Sequence, residues 1–307
     1  MRDGIAGNEL QGSRFDMLRH VTRRLFRKAI VASPPAIGAR LAYLEAHGRL
    51  PDLDRPRRFT EHLLRQKLFG DHARFAELSD KVRVKAHVAR TIGPGFVTPT
   101  LWHGPALPPR GFRDWPLPFV LKANHGSGMN ALVRGPGDLD WDRLEAQASA
   151  WLARDWPRRL HEEWYNRIER QLLVEPLLGC GSHDLTDYKF WVFGGRAELV
   201  QVDLDRFSGH RSSIFDRDWR MQPVRVGEFP LVPGDAPRPR HFERMLAAAE
   251  TLGRGFDFVR VDFYDLPDGP RFGEMTFSPG AGLLPMTPER FDVEIGGLWR
   301  ERVPEGP

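Results

Sequence analysis

The chain has 307 residues, with 45 Lys and Arg against 41 Asp and Glu, and a net charge of only +4. Hydrophobic content of 41% and charged content of 28% describe an ordinary globular chain and exclude fibrous or disordered classes. No stretch approaches the ~20 apolar residues of a membrane span, and the single Cys180 excludes internal disulfides and paired-cysteine zinc sites.

Met1 to Gly12 has no apolar run of the signal-peptide kind, so a cytoplasmic protein is expected. Only six of the basic residues are lysines: Lys28, Lys67, Lys81, Lys85, Lys122 and Lys189. The remainder are arginines, and the two side chains do different chemistry. The small net charge, with no single basic patch interleaved with aromatics, argues against a nucleic-acid partner.

In chain order, Phe15 to Val31 shows helical spacing of Phe15, Leu18, Val21, Leu25, Phe26 and Ile30 with basic residues between. Such a helix packs on the protein with its arginines in water, or lies on an anionic membrane surface. Helices are predicted over Ile37–His47 and from a Thr60 N-cap through Glu61 to Phe69, then over Asp80–Ile92 up to Gly93-Pro94-Gly95. Phe119–Lys122 reads as a strand, and Trp141–Trp156 as a helix. From Gln171 onward strands dominate: Leu172–Glu175, Lys189–Phe193, Ala197–Val202, Phe258–Tyr264 and Arg271–Phe277, interrupted by a helix over His241–Leu252. Mixed in this way, the elements predict an α+β (α/β) architecture.

Four segments can carry chemistry. Between Phe258 and Gly282, two strand-like runs flank the turn Pro267-Asp268-Gly269. A turn centred on Asp268 sets Asp262 opposite Glu274 and Arg260 opposite Thr276, all four on one face. Two facing carboxylates need a cation between them, either Mg²⁺ with its oxygen ligands or Arg260 itself. In FVLKANHGSGMN, a strand delivers Lys122 into Gly126-Ser127-Gly128, a loop whose N–H groups could approach phosphate. A simple turn would read the same way. Strand alternation puts Asp187 and Lys189 on one face, as a buried pair or beside a ligand. Asp203, Asp205, Arg206, His210 and Arg211 crowd a strand end, as a solvated turn or an anion-binding cluster.

In this order the segments resemble the ATP-grasp superfamily, and most of all its TupA-like branch, named for teichuronopeptide biosynthesis. The resemblance runs from RRFTEHLLRQKLF and LSDKVRVKAHV through VLKANHGSG, WYNRIERQLLVEPLL, DYKFWVFGG, QVDLDRF, FDRDW and GFDFVRVDFY to FGEMTFSPGAG. It implies an ATP-grasp fold, in which a helical region (1–75) precedes two α+β subdomains (76–172 and 173–307) that clamp ATP. It implies Lys122 on the α/β-phosphates, with Gly126, Ser127 and Gly128 closing over them. Glu175, with Val174 and Leu177, is implied as the adenine-reading hinge, and Asp187 as a ribose-binding acid. Lys189 would meet phosphate or substrate, Asp262 and Glu274 would hold Mg²⁺, and Arg260 would steady the transferring phosphoryl group. Thr276 stands where the superfamily often has Asn; its hydroxyl would still bind Mg²⁺, directly or through water, but more weakly than an amide oxygen, so one metal is expected rather than two. Arg206, His210 and Arg211 are the candidates for acceptor recognition.

The implied activity is ATP- and Mg²⁺-dependent ligation of a carboxylate, free or glycan-linked, to an amine, in cell-surface polysaccharide or peptide-polymer decoration. The alternatives are a phosphotransferase acting on a sugar hydroxyl and a nucleotide-binding accessory protein of polysaccharide synthesis. Peripheral membrane contact through the basic N-terminal helix stands as a further expectation.

Overall fold

The computed structural model describes residues 22–179, 185–204, 209–232, 236 and 238–299. Helices come first: α1 over 22–32, α2 (Pro35–His47), α3 (Phe59–Phe69), α4 (His72–Ser79) and α5 (Arg83–Ile92). Strands β1 (Trp102–Gly104), β2 (Phe119–Ala123), β3 (Asn130–Val133) and β4 (Leu172–Pro176) form an antiparallel sheet in the order β1-β4-β2-β3. Helix α6 (Trp141–Leu152) covers it, through Leu144 and Ala148. A six-stranded sheet follows in the order β11-β10-β5-β6-β7-β8. Its strands are β5 (Asp187–Phe193), β6 (Arg196–Leu204), β7 (Arg211–Asp216), β8 (Met221–Gln222), β10 (Phe258–Leu266) and β11 (Gly269–Thr276). β9 (Arg225–Val226) and β12 (Met286–Thr287) form a small separate pair, and α7 (Phe242–Gly253) and α8 (Arg290–Gly296) complete the order.

Both faces of the six-stranded sheet are covered, which is why β5 is buried along its whole length. On one face α7, α4 and α5 meet Phe190, Val192, Val259, Val261 and Phe263. On the other, Phe59 of α3 stacks on Trp191 at 5.0 Å and meets Phe258 edge-on at 4.9 Å. Each such ring removed from water contributes about 2–3 kcal/mol to holding α3 on the sheet.

Several expected boundaries move; the helix expected over Trp141–Trp156, for one, ends at Leu152. Thr60 is not the N-cap of α3: its hydroxyl donates to Asp292 Oδ2 at 2.8 Å, deep in the fold. The helix instead starts after Arg58, where Glu61 reaches back to accept the Arg57 and Arg58 N–H groups at 3.0 and 3.1 Å. The Asp80–Ile92 helix begins only at Arg83: Asp80 is still the C-cap of α4, its N–H donating to Ala76 O at 3.1 Å, while its Oδ1 accepts from Val82 N at 2.8 Å. In α1, Ile30 is buried and Arg27 pairs with Glu45 of α2 at 2.7 Å; residues 15–21 of that expected helix lie outside the described residues. No helix among the described residues is long and apolar enough to cross a membrane.

Candidate active site

A cleft opens between the two sheets. Its walls carry Lys81, Lys85, Lys122, the Gly126–Asn130 loop and Glu175 on one side, and Asp187, Asp262 and Glu274 on the other. A wider depression around His62, Arg65, Arg74, Phe256 and Trp299 contains none of the residues singled out from the sequence.

The cationic wall is built on β2 and β4. Their register places Lys122 against Leu173 and Val120 against Glu175, and Lys122 Nζ donates to Glu175 Oε2 at 2.6 Å. Lys85 of α5 pairs with the other oxygen of Glu175 and donates to Thr98 O at 2.9 Å. Burial pushes the Glu175 carboxyl up, but the two ammonium groups outweigh it and leave its pKa below the ordinary value. Lys81 Nζ donates to Gly126 O at 2.5 Å. Gly126 and Gly128 sit at φ +92° and +71°, a left-handed backbone that glycine adopts freely, which the turn of this loop requires. At its root, Asn124 accepts from Gln171 N at 2.8 Å and donates to Asp80 Oδ1 at 3.1 Å, tying the loop to the start of α5.

The acidic wall is the β10–β11 hairpin. Arg260 lies opposite Thr276 as the sequence predicts, but Asp262 does not stand squarely across from Glu274. The chain turns on Pro267-Asp268 alone, closing with Leu266 against Gly269, which shifts the pairing by one residue. A bulge between Val261 and Phe263 absorbs the shift, with Gly273 beside the Asp262 carbonyl. The four side chains still converge. Arg260 donates to both Asp262 oxygens at 2.7 Å, to Glu274 Oε1 at 3.0 Å and to Thr276 Oγ1 at 3.1 Å. The carboxylates push the Arg260 pKa up despite burial.

On the same face of the sheet, Lys189 is enclosed by acids from three strands: Asp262 at 2.8 Å, Asp187 at 3.4 Å and Asp203 at 3.8 Å. Burial works against its charge, but Asp262 foremost among these acids raises its pKa, so it stays protonated. The Lys189 side chain is only 5% exposed, and it lies outside the wall of the cleft.

Of the expected hinge, Glu175 lines the cleft with Leu178. Val174 is fully buried in the four-stranded sheet and its carbonyl accepts from Leu101 N at 2.8 Å, while Leu177 N donates to Pro118 O at 3.0 Å. Of the acceptor candidates, His210 lies 3.5 Å from Asp203 Oδ2 and its ring meets Phe229 at 4.1 Å. Arg211 opens β7 against Leu204, and Arg206 lies outside the described residues. Sequence reasoning assigned nothing to Lys81 and Lys85. Their rarity was the available signal: four of the six lysines (Lys81, Lys85, Lys122 and Lys189) meet at this site.

Comparison with known proteins follows the same lines. A family model described as TupA-like ATPgrasp matches residues 61–300. No curated protein sequence matches. Among solved structures, D-alanine–D-alanine ligase from Bacillus anthracis complexed with ATP is 15% identical, with a TM-score of 0.38 over 66% of this chain and 55% of that one. The ATP-grasp ligase PsnB, complexed with a phosphomimetic variant of its minimal precursor, Mg and ADP, is 15% identical, with a TM-score of 0.41 over 78% and 66%. N5-carboxyaminoimidazole ribonucleotide synthetase from Thermus thermophilus is 18% identical, with a TM-score of 0.38 over 79% and 51%. The chain thus spans about half to two thirds of the length of these proteins.

Proposed function

The chain belongs to the TupA-like ATP-grasp family, and from that premise we propose that it is an ATP- and Mg²⁺-dependent ligase joining a carboxylate to an amine through an acylphosphate. One observation carries the reading: a single cleft sets Lys122 and the Gly126–Gly128 loop against Asp262 and Glu274. Cations and loop N–H groups on one wall suit the phosphates, and hard oxygen donors on the other suit a divalent ion bound to them.

Asp262 and Glu274 supply oxygen donors of the kind Mg²⁺ takes, and the ion would replace part of the contact that Arg260 and Lys189 now make with them. This ion takes one or two carboxylates and fills its remaining positions with water and phosphate oxygens. Glu274 is 39% exposed and Asp262 is 3% exposed, with the Thr276 hydroxyl 3.1 Å from the Glu274 carboxylate. No group of three or more His, Cys, Asp or Glu suited to a metal occurs among the described residues, so the phosphates have to complete the shell. Mg²⁺ held there would neutralise charge on the phosphate oxygens during transfer.

The protein's own groups then position and stabilise. Lys122, 30% exposed, can exchange Glu175 for an α- or β-phosphate oxygen. Arg260 already spans Asp262, Glu274 and Thr276, so its guanidinium is fixed before charge develops on the transferring group. A carboxylate oxygen attacks the γ-phosphorus and ADP leaves. The amine then attacks the acyl carbon, and inorganic phosphate leaves with one oxygen from the carboxylate. Decoration of a cell-surface polysaccharide or peptide polymer is the setting we infer; the resemblance of the motifs to the teichuronopeptide branch supports it.

The test is ADP release from Mg-ATP with pools of amino acids and uronic acids as carboxylates and amino acids as amines. Release that needs both partners supports the ligase. Lys122→Ala and Glu274→Ala are each expected to lower it about a hundredfold. Full Mg-ATP affinity and full turnover in both variants would sink the site assignment.

A further inference from the structure

A loop that lines the cleft and a loop that lines a second, narrow slot leave different sheets, and one buried carboxylate connects them. The first is the glycine loop. A Cβ at Gly126 would lie 2.4 and 2.6 Å from indole carbons of Trp156, so the loop backbone rests directly on that ring. Trp156 Nε1 donates to Glu162 Oε2 at 2.9 Å. The other oxygen of Glu162 accepts from the Ser278 hydroxyl. Glu162 itself is 5% exposed.

Ser278 opens the second loop, which leaves β11 just after Thr276. Gly280, Ala281 and Gly282 all have left-handed φ values, of +57°, +57° and +69°. Ala281 adopts this conformation without glycine's freedom, so neighbouring contacts must hold it there. They come from the N-terminal helices. Gln66 donates to Phe277 O at 2.7 Å, Lys67 to Ala281 O at 2.7 Å, and His47 Nε2 contacts Gly282 O at 2.9 Å. With its carbonyls held from behind, the loop turns Pro279, Gly280 and Gly282 into a narrow slot that also contains Arg260 and Gln201.

We propose that Glu162 is a positioning residue that couples the seating of the phosphate loop on nucleotide to the placement of the Pro279–Gly282 loop beside Arg260. The physical basis is close packing. Gly126 cannot move toward the ring without moving it, and the indole N–H bond passes that displacement to the carboxylate and so to Ser278. Nucleotide on one wall thereby sets the wall of the slot where a second substrate meets Arg260. The coupling rests on the reading of the cleft as a nucleotide site, not on the identity of the carboxylate or the amine.

The experiment is amide hydrogen exchange on the full chain with and without Mg-AMPPNP. In the wild type, nucleotide is expected to slow exchange about fivefold or more both in residues 124–130 and in residues 278–283. Trp156→Phe keeps a ring under Gly126 and removes the indole N–H, while Ser278→Ala removes the other end of the relay. Both variants are expected to keep the protection of 124–130 and lose that of 278–283. Protection of 278–283 that persists in both variants overturns the proposal. So does its absence in the wild type when 124–130 is protected. A wild type that shows no Mg-AMPPNP binding by calorimetry overturns the nucleotide reading, and the coupling with it.

Discussion

Lys67 is 1% exposed and its ammonium donates to the Ala281 carbonyl. Burial pulls its pKa down to about 8, and the nearest offsetting charge is Glu162. The sign follows from proton linkage: between pH 8 and 10.5 the folded chain holds fewer protons than the unfolded one, so stability rises with pH across that window. At pH 7 the buried charge costs the fold about 3 kcal/mol. Lys81 and Lys85 are lowered in the same sense, so urea unfolding at pH 7 and pH 9.5 is expected to show a larger gain with pH in the wild type than in Lys67→Met. An equal gain in both would remove Lys67 as its source. A charge kept in place at such a cost implies a use, and its hold on the left-handed Ala281 is the use visible in the structure.

At the level of elements, the β10–β11 hairpin shows what the sequence could and could not reveal. Alternation and the Pro267-Asp268-Gly269 turn were enough to place Arg260, Asp262, Glu274 and Thr276 on one face, where they are found. The bulge was not legible, because its cause is a tight two-residue turn whose register must be reconciled with pairing at the far end of the strands. Gly273 makes that reconciliation possible. A Cβ there would stand 3.2 Å from the Asp262 carbonyl. Gly273→Ala is expected to cost about 1 kcal/mol in unfolding and to lower ATP turnover about tenfold, by moving Glu274 away from Asp262. Loss of stability with unchanged turnover would show that the bulge serves folding alone. Other elements escaped prediction for the same long-range reason. Lys85 has its role only because α5 brings its ammonium to Glu175 of β4, and Thr60 reads locally as a cap although its hydroxyl is used by Asp292. Strand β7 begins inside a charged stretch that reads as a turn until Ser212 and Ser213 are seen buried against β6.

Across the whole molecule, two antiparallel sheets face each other over a cleft, and the N-terminal helix α3 holds the end of the acidic hairpin and the loop that follows it. This arrangement puts the phosphate loop and the hairpin on different sheets, facing each other across one cleft. Bound Mg-nucleotide at a hundred times its dissociation constant is expected to add about 2.7 kcal/mol to stability through mass action. That linkage would report binding, but the central claim concerns chemistry. The most direct test uses ¹⁸O in the carboxylate of whichever substrate supports ADP release. An acylphosphate pathway transfers one labelled oxygen to inorganic phosphate for each ADP formed. Unlabelled phosphate, or phosphate retained as a stable ester on the acceptor, would contradict the ligase.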